Sequence, residues 1–109
     1  MRRIALILLM IAGTAQADDW RALNGDEIRT ALTGTTLTYP NATQSFQADG
    51  KTPYVAGRPS MGAWQVRGDQ YCSVWPPSDH WACFDMFAKD NMLRFVGSRG
   101  DVTDGVITP

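Results

Sequence analysis

Residues 62–97 read GAWQVRGDQYCSVWPPSDHWACFDMFAKDNMLRFVG. Four short runs, rich in aromatic and β-branched residues, are separated by Gly-Asp, Pro-Pro-Ser-Asp and Ala-Lys-Asp-Asn. Such a pattern reads as consecutive antiparallel strands joined by turns. A two-residue loop at Gly68-Asp69 sets Val66 opposite Tyr71, Gln65 opposite Cys72 and Trp64 opposite Ser73. A four-residue loop from Pro76 to Asp79 sets Cys72 opposite Cys83 and Tyr71 opposite Phe84. A second four-residue loop, Ala88 to Asn91, sets Phe84 opposite Phe95, Asp85 opposite Arg94 and Met86 opposite Leu93. Successive side chains point to opposite faces of a sheet. One face therefore collects Trp64, Val66, Tyr71, Trp75, Ala82, Phe84, Met86, Leu93 and Phe95. The other collects Gln65, Arg67, Gln70, Cys72, Val74, Trp81, Cys83, Asp85 and Arg94. A one-residue slip at any turn would mix the two sets. Their separation predicts a four-stranded meander with the first set as its core.

The pairing places both cysteines at directly opposed outward positions, close enough for a disulfide. Redox-active pairs are instead spaced Cys-x-x-Cys at a helix start, where one thiol pKa is lowered. Cys72 and Cys83 are therefore expected to form a structural bond. Val74 and Trp81 share the disulfide's face. They form either a small apolar cluster shielding it, under the chain's tail or the Pro53 segment, or, with His80 in the adjoining turn, a candidate binding surface. Arg67-Gly68-Asp69 is read as a hairpin turn, not as an adhesion motif. Asp85 and Arg94 are expected to pair across strands.

Upstream, LNGDEIRTALTGTTL carries helix punctuation. Asn24 and Glu27 form a capping box, with Leu23 and Ile28 as a hydrophobic staple. Asp26 and Glu27 suit the first turn, and Gly34 suits a left-handed stop. One short helix over about Gly25 to Thr33 follows. Beyond it, TTLTY and SFQA read as strands. KTPYVAG is confined to an edge or a loop by Pro53, RPSMG is a connection, and the tail holds one short strand around Val106 and Ile107. The fold class expected is mainly β: an antiparallel meander forming a small barrel or sandwich, with one short N-terminal helix.

The chain opens MRRIALILLMIAGTAQADDW. Arg2 and Arg3, an apolar run from Ile4 to Ala12, and Ala15-Gln16-Ala17 form the pattern of a secretory signal peptide over residues 1–17. The run is too short to span a bilayer, which takes about 20 residues. Residues 18–109 are then one β-rich periplasmic or secreted domain, in a compartment where disulfides persist. No membrane anchor is expected after cleavage. Loss of Arg2 and Arg3 takes the formal charge from −1 to −3. A weakly acidic surface without a basic run argues against nucleic acid as a partner.

Chemistry-bearing patterns are sparse. One histidine and two paired cysteines cannot supply the three or four convergent ligands of a zinc site. Asp101 and Asp104 lack the bidentate glutamate of a calcium loop. Ser78, Asp79 and His80 are all triad residue types, but consecutive residues in an extended turn point apart. No phosphate loop or dinucleotide fingerprint is present. Accordingly no catalytic residue, metal or cofactor is nominated.

LTGTTLTY, FQADG, GAWQVRGDQYCSVWPPSDHWACFDM and LRFVGSRGD together resemble a group of small secreted proteobacterial proteins of unknown function. In that group a Gly-x-Trp-x-Val strand precedes a cysteine strand, a Trp-Pro turn and a second cysteine. The matching positions here are Gly62, Trp64, Val66, Cys72, Trp75, Pro76 and Cys83. The resemblance implies a periplasmic β-rich domain and carries no activity. The function expected is a non-enzymatic binding or inhibitor module, monomeric, acting on a periplasmic protein or envelope component. The alternatives are a cell-envelope hydrolase working through carboxylates, discriminated by a cleft holding a carboxyl of raised pKa, and an envelope stress or structural protein.

Overall fold

The structure, a computed structural model, describes residues 19–109. The leader expected over residues 1–17 lies outside them. After a short strand β1 (Arg21–Ala22) comes helix α1 (Gly25–Leu32). Eight strands follow: β2 (Thr35–Tyr39), β3 (Ala42–Phe46), β4 (Lys51–Ala56), β5 (Arg58–Arg67), β6 (Gln70–Val74), β7 (Ala82–Lys89), β8 (Met92–Val96) and β9 (Val102–Ile107). Each of the eight pairs antiparallel with the next, and β9 returns to β2. The result is a closed up-and-down barrel, which leaves its eight strands no free edge. Of the expected alternatives, it is the barrel.

Closure rests on few bonds. β2 and β9 meet through Leu37 opposite Ile107 and Thr38 opposite Val106. Thr108 N–H donates to the Thr36 carbonyl at 2.9 Å, and the Thr38 and Thr108 hydroxyls lie 2.7 Å apart. Gly105 lets β9 approach closely. A β-carbon there would stand 2.8 Å from Tyr39 Cε1 and 3.1 Å from the Leu37 side chain.

Helix α1 plugs one end of the barrel. Asn24 Oδ1 accepts from Glu27 N–H, and Glu27 Oε1 accepts from Asn24 N–H, which is the capping box expected. Gly34 takes a φ of 78° just past Thr33, the C-terminal cap. Ile28 and Leu32 are wholly buried beside Leu37, Phe46, Met86 and Leu93. Gly25 N–H donates to Asp69 Oδ1 at 2.8 Å, so the Gly68-Asp69 hairpin also pins the start of the helix. β1 continues the edge of β7 that β6 leaves, setting Ala22 opposite Phe87. Outside the wall, the Arg94 guanidinium lies 4.0 Å from the centre of the Trp20 ring.

Two of the three predicted registers hold as read: Val66 faces Tyr71 and Cys72 faces Cys83. The third is displaced. Lys89 faces Met92, Phe87 faces Arg94 and Met86 faces Phe95, because the turn is only Asp90-Asn91, with Asp90 at a φ of 55°. The displacement is two residues, so every side chain keeps its expected face. It does dissolve the expected Asp85–Arg94 pair. Arg94 instead forks onto Asp104 at 2.8 and 2.9 Å, and Asp85 accepts from Gln70 Nε2. Two members of the expected core also differ. Ala82 is exposed and Trp75 is half-buried at the barrel mouth, where β6 and β7 part, whereas the half-buried Val66 and Phe84 still pack against the core.

The Pro53 segment is not an edge or a loop. β4 is paired on both sides, and RPSMG belongs to the long strand β5. Proline has no N–H to give to the neighbouring strand. The register aligns it with Ser45 of β3, since Gln44 faces Tyr54 and Gln47 N–H bonds the Lys51 carbonyl. The carbonyl left over at Ser45 is met by the Thr52 hydroxyl, at 2.6 Å. One side-chain bond thus admits proline to an interior strand.

Candidate binding site at the open end of the barrel

Opposite the helix, the barrel is open. A cavity of about 540 Å³ enters there, reaching from Trp75 and Pro76 at the rim down to Gln44, Tyr71 and Phe95. That volume lies in the range of small-molecule sites, roughly 300–1,000 Å³. The lining is mostly aromatic. Tyr54 stands between Tyr39 (ring centres 6.3 Å apart) and Trp75 (5.7 Å, edge to face). Below them Tyr71 packs edge to face on Phe95 at 5.1 Å. Trp75 leans over β5 because Gly62 has no side chain. A β-carbon there would come within 2.6 Å of the indole.

The floor is polar, buried and uncharged. Gln44 is 6% exposed, Thr52 0% and Ser73 5%. Tyr39 donates its hydroxyl to Gln44 Oε1 at 2.7 Å. Gln44 Nε2 donates to Thr52 Oγ1 at 2.9 Å and to the Tyr71 hydroxyl at 3.3 Å. Ser73 follows Tyr71 on the inward side of β6 and lines the cavity beside it. Burial pushes the Tyr39 phenol above its ordinary range, helped by repulsion from Tyr71 and Tyr54. Burial also raises Tyr71, partly offset by the hydrogen bonds from Ser73 and Gln44. Both phenols therefore stay protonated at neutral pH.

The expected surface residues stand elsewhere. The disulfide Cys72–Cys83 is formed, with α-carbons 4.0 Å apart. Cys72 is completely covered. Its cover is neither the tail nor the Pro53 segment, which run on other parts of the wall. Arg67 and Trp81 lie to either side of the cystine along the strands, and the Arg67 guanidinium reaches to 4.8 Å from the Trp81 ring centre. Val74 is buried at 9% exposure, and Trp81 keeps 37%. His80 is exposed, its backbone N–H bonded to Ser78 Oγ. Trp81, Val74 and His80 are not among the residues that line the cavity.

Tyr39, Gln44, Tyr54 and Ser73 were not singled out from sequence. Ser73 carried a signal, being a polar residue on the inward parity of β6 between Tyr71 and Trp75. Gln44 carried none, because its strand begins earlier than SFQA suggested. The Asp104 carboxyl, held below its usual range mainly by its hydrogen bonds to Arg94, lies on the outer wall. Among the described residues, no acidic side chain lines the cavity and no cluster of three potential metal ligands occurs. Comparisons with protein families, curated proteins and solved structures find no match to this chain.

Proposed function

We propose that this protein is a non-enzymatic binding module of the bacterial cell envelope, and that its site is the open end of the barrel. The cavity carries the reading: a preformed aromatic cup over an uncharged polar floor, at the end the helix leaves open. Ligand sites are commonly found in the mouths of β-barrels. The leader-like residues 1–17 and the disulfide support a periplasmic or secreted location. A carboxylate-driven hydrolase is less favoured, because its acid and base would need to face the cavity and the acidic side chains of the described residues lie elsewhere.

Thermal unfolding of the purified protein against a panel of small uncharged molecules tests the reading. A ligand at a hundred times its Kd stabilises by about 2.7 kcal/mol. Ser60→Trp, at an exposed position on the cavity wall, should abolish that shift and leave the unliganded midpoint nearly unchanged. A panel without any hit, or shifts that survive the plug, would remove the cup as the site.

A further inference from the structure

The directions of the hydrogen bonds that join Thr52, Gln44, Tyr39 and Tyr71 follow from one missing N–H. Pro53 cannot donate to Ser45, so the Thr52 hydroxyl hydrogen is committed to the Ser45 carbonyl. Thr52 Oγ1 must then accept from Gln44, which turns the Gln44 amide nitrogen toward Thr52 and Tyr71. The amide oxygen is left to the Tyr39 hydroxyl, which donates to it. Tyr71 is thereby fixed as an acceptor from Gln44, and its own hydrogen points onward. Tyr71 and Ser73 line the cavity as neighbours on the inward side of β6 and carry two hydroxyl hydrogens, of which a bond within the pair would use only one. One hydrogen remains, at the bottom of an aromatic cup.

We infer that the cavity takes an uncharged aromatic or alicyclic molecule bearing a hydrogen-bond acceptor oxygen, a ketone, ether or amide, which accepts from the Tyr71–Ser73 pair. This rests on the cup being the binding site. Stacking walls select the ring, and the leftover donor selects the oxygen. A site that offers a buried donor discriminates against an analogue without the acceptor. An anion is disfavoured, because no lysine or arginine of the described residues lines the cavity and a buried unpaired charge is costly.

Calorimetric titration with three probes of similar shape separates the claims: 2-acetylnaphthalene, 2-ethylnaphthalene and 2-naphthoate, at pH 7. The ketone should bind roughly five- to tenfold tighter than the hydrocarbon, and tighter than the carboxylate. In Tyr71→Phe/Ser73→Ala the ketone should lose its advantage while the hydrocarbon binds about as before. Equal binding of ketone and hydrocarbon would overturn the acceptor assignment and leave the cup standing, as would a preference that survives in the double variant. So would naphthoate binding tightest. Failure of all three to bind would overturn the cup itself. The ketone–hydrocarbon comparison needs only the unaltered protein, so it decides even where the variant folds poorly.

Discussion

At the scale of single residues, Thr52 does the most with the least. Its hydroxyl donates to Ser45 and accepts from Gln44, at a position with no solvent exposure. Thr52→Val keeps the shape and strands a buried carbonyl and an amide N–H, and should cost about 2–4 kcal/mol. Pro53→Ala restores an N–H facing Ser45. In the Thr52→Val background it should recover part of that loss, a non-additivity that denaturant unfolding of the four-member cycle would measure. Additive costs would show that Ser45 does not depend on Thr52. Asp104 is the other residue with a directional consequence. Its folded pKa lies below the ordinary 3.8 because Arg94 bonds the ionised form. The stabilisation is therefore complete above the unfolded value and fades as pH falls through the folded one. Asp104→Asn should unfold at a lower temperature than the unaltered protein at pH 7, with the gap closing below about pH 4.

At the scale of elements, the β6–β7 hairpin has a short backbone ladder. Its ladder spans only Tyr71–Phe84, Cys72–Cys83 and Ser73–Ala82, and the segment beyond opens over the cavity. The disulfide closes the ladder's centre. Replacing both cysteines by alanine should cost about 3 kcal/mol on the chain-entropy estimate. The loss should concentrate in this hairpin, so hydrogen exchange at Cys72, Ser73 and Phe84 should accelerate more than at β3 or β4. Uniform acceleration would indicate that the bond supports the whole wall. This hairpin was also the most legible part of the chain. Two cysteines at opposed positions, flanked by turn residues of known loop length, leave one register that keeps the aromatics together. The next hairpin was less so. Ala-Lys-Asp-Asn admits both a four-residue and a two-residue turn, and both put Phe84 and Phe95 on the same face.

At the scale of the whole molecule, the seam between β2 and β9 makes the barrel. It joins residues seventy positions apart, Leu37 with Ile107, so its loop-closure entropy is the largest of any strand pair. Gly105 permits the approach. Gly105→Ala would force Tyr39 and Leu37 to move, and should destabilise by about 1–3 kcal/mol as an overpacked core does. Because Tyr39 also stands at the cavity wall, the same change should weaken any ligand held by the cup. A stable variant with unaltered binding would place the seam's tolerance elsewhere.

Local chemistry written along the chain determined the helix with its capping box, the two-residue period of the strands, the facing cysteines and the inward aromatic set. Each depends on residues close in sequence, where propensity and turn length act directly. Closure into a barrel, the proline inside β4, the Arg94–Asp104 fork and the donor left over at the cavity floor were decided by tertiary structure alone. Each needs partners brought together by the finished wall: Tyr39 with Gln44, Gln44 with Tyr71, β2 with β9. Periodicity tells which way a side chain points. It does not tell which distant side chain it will meet there, and the aromatic cup is made of such meetings.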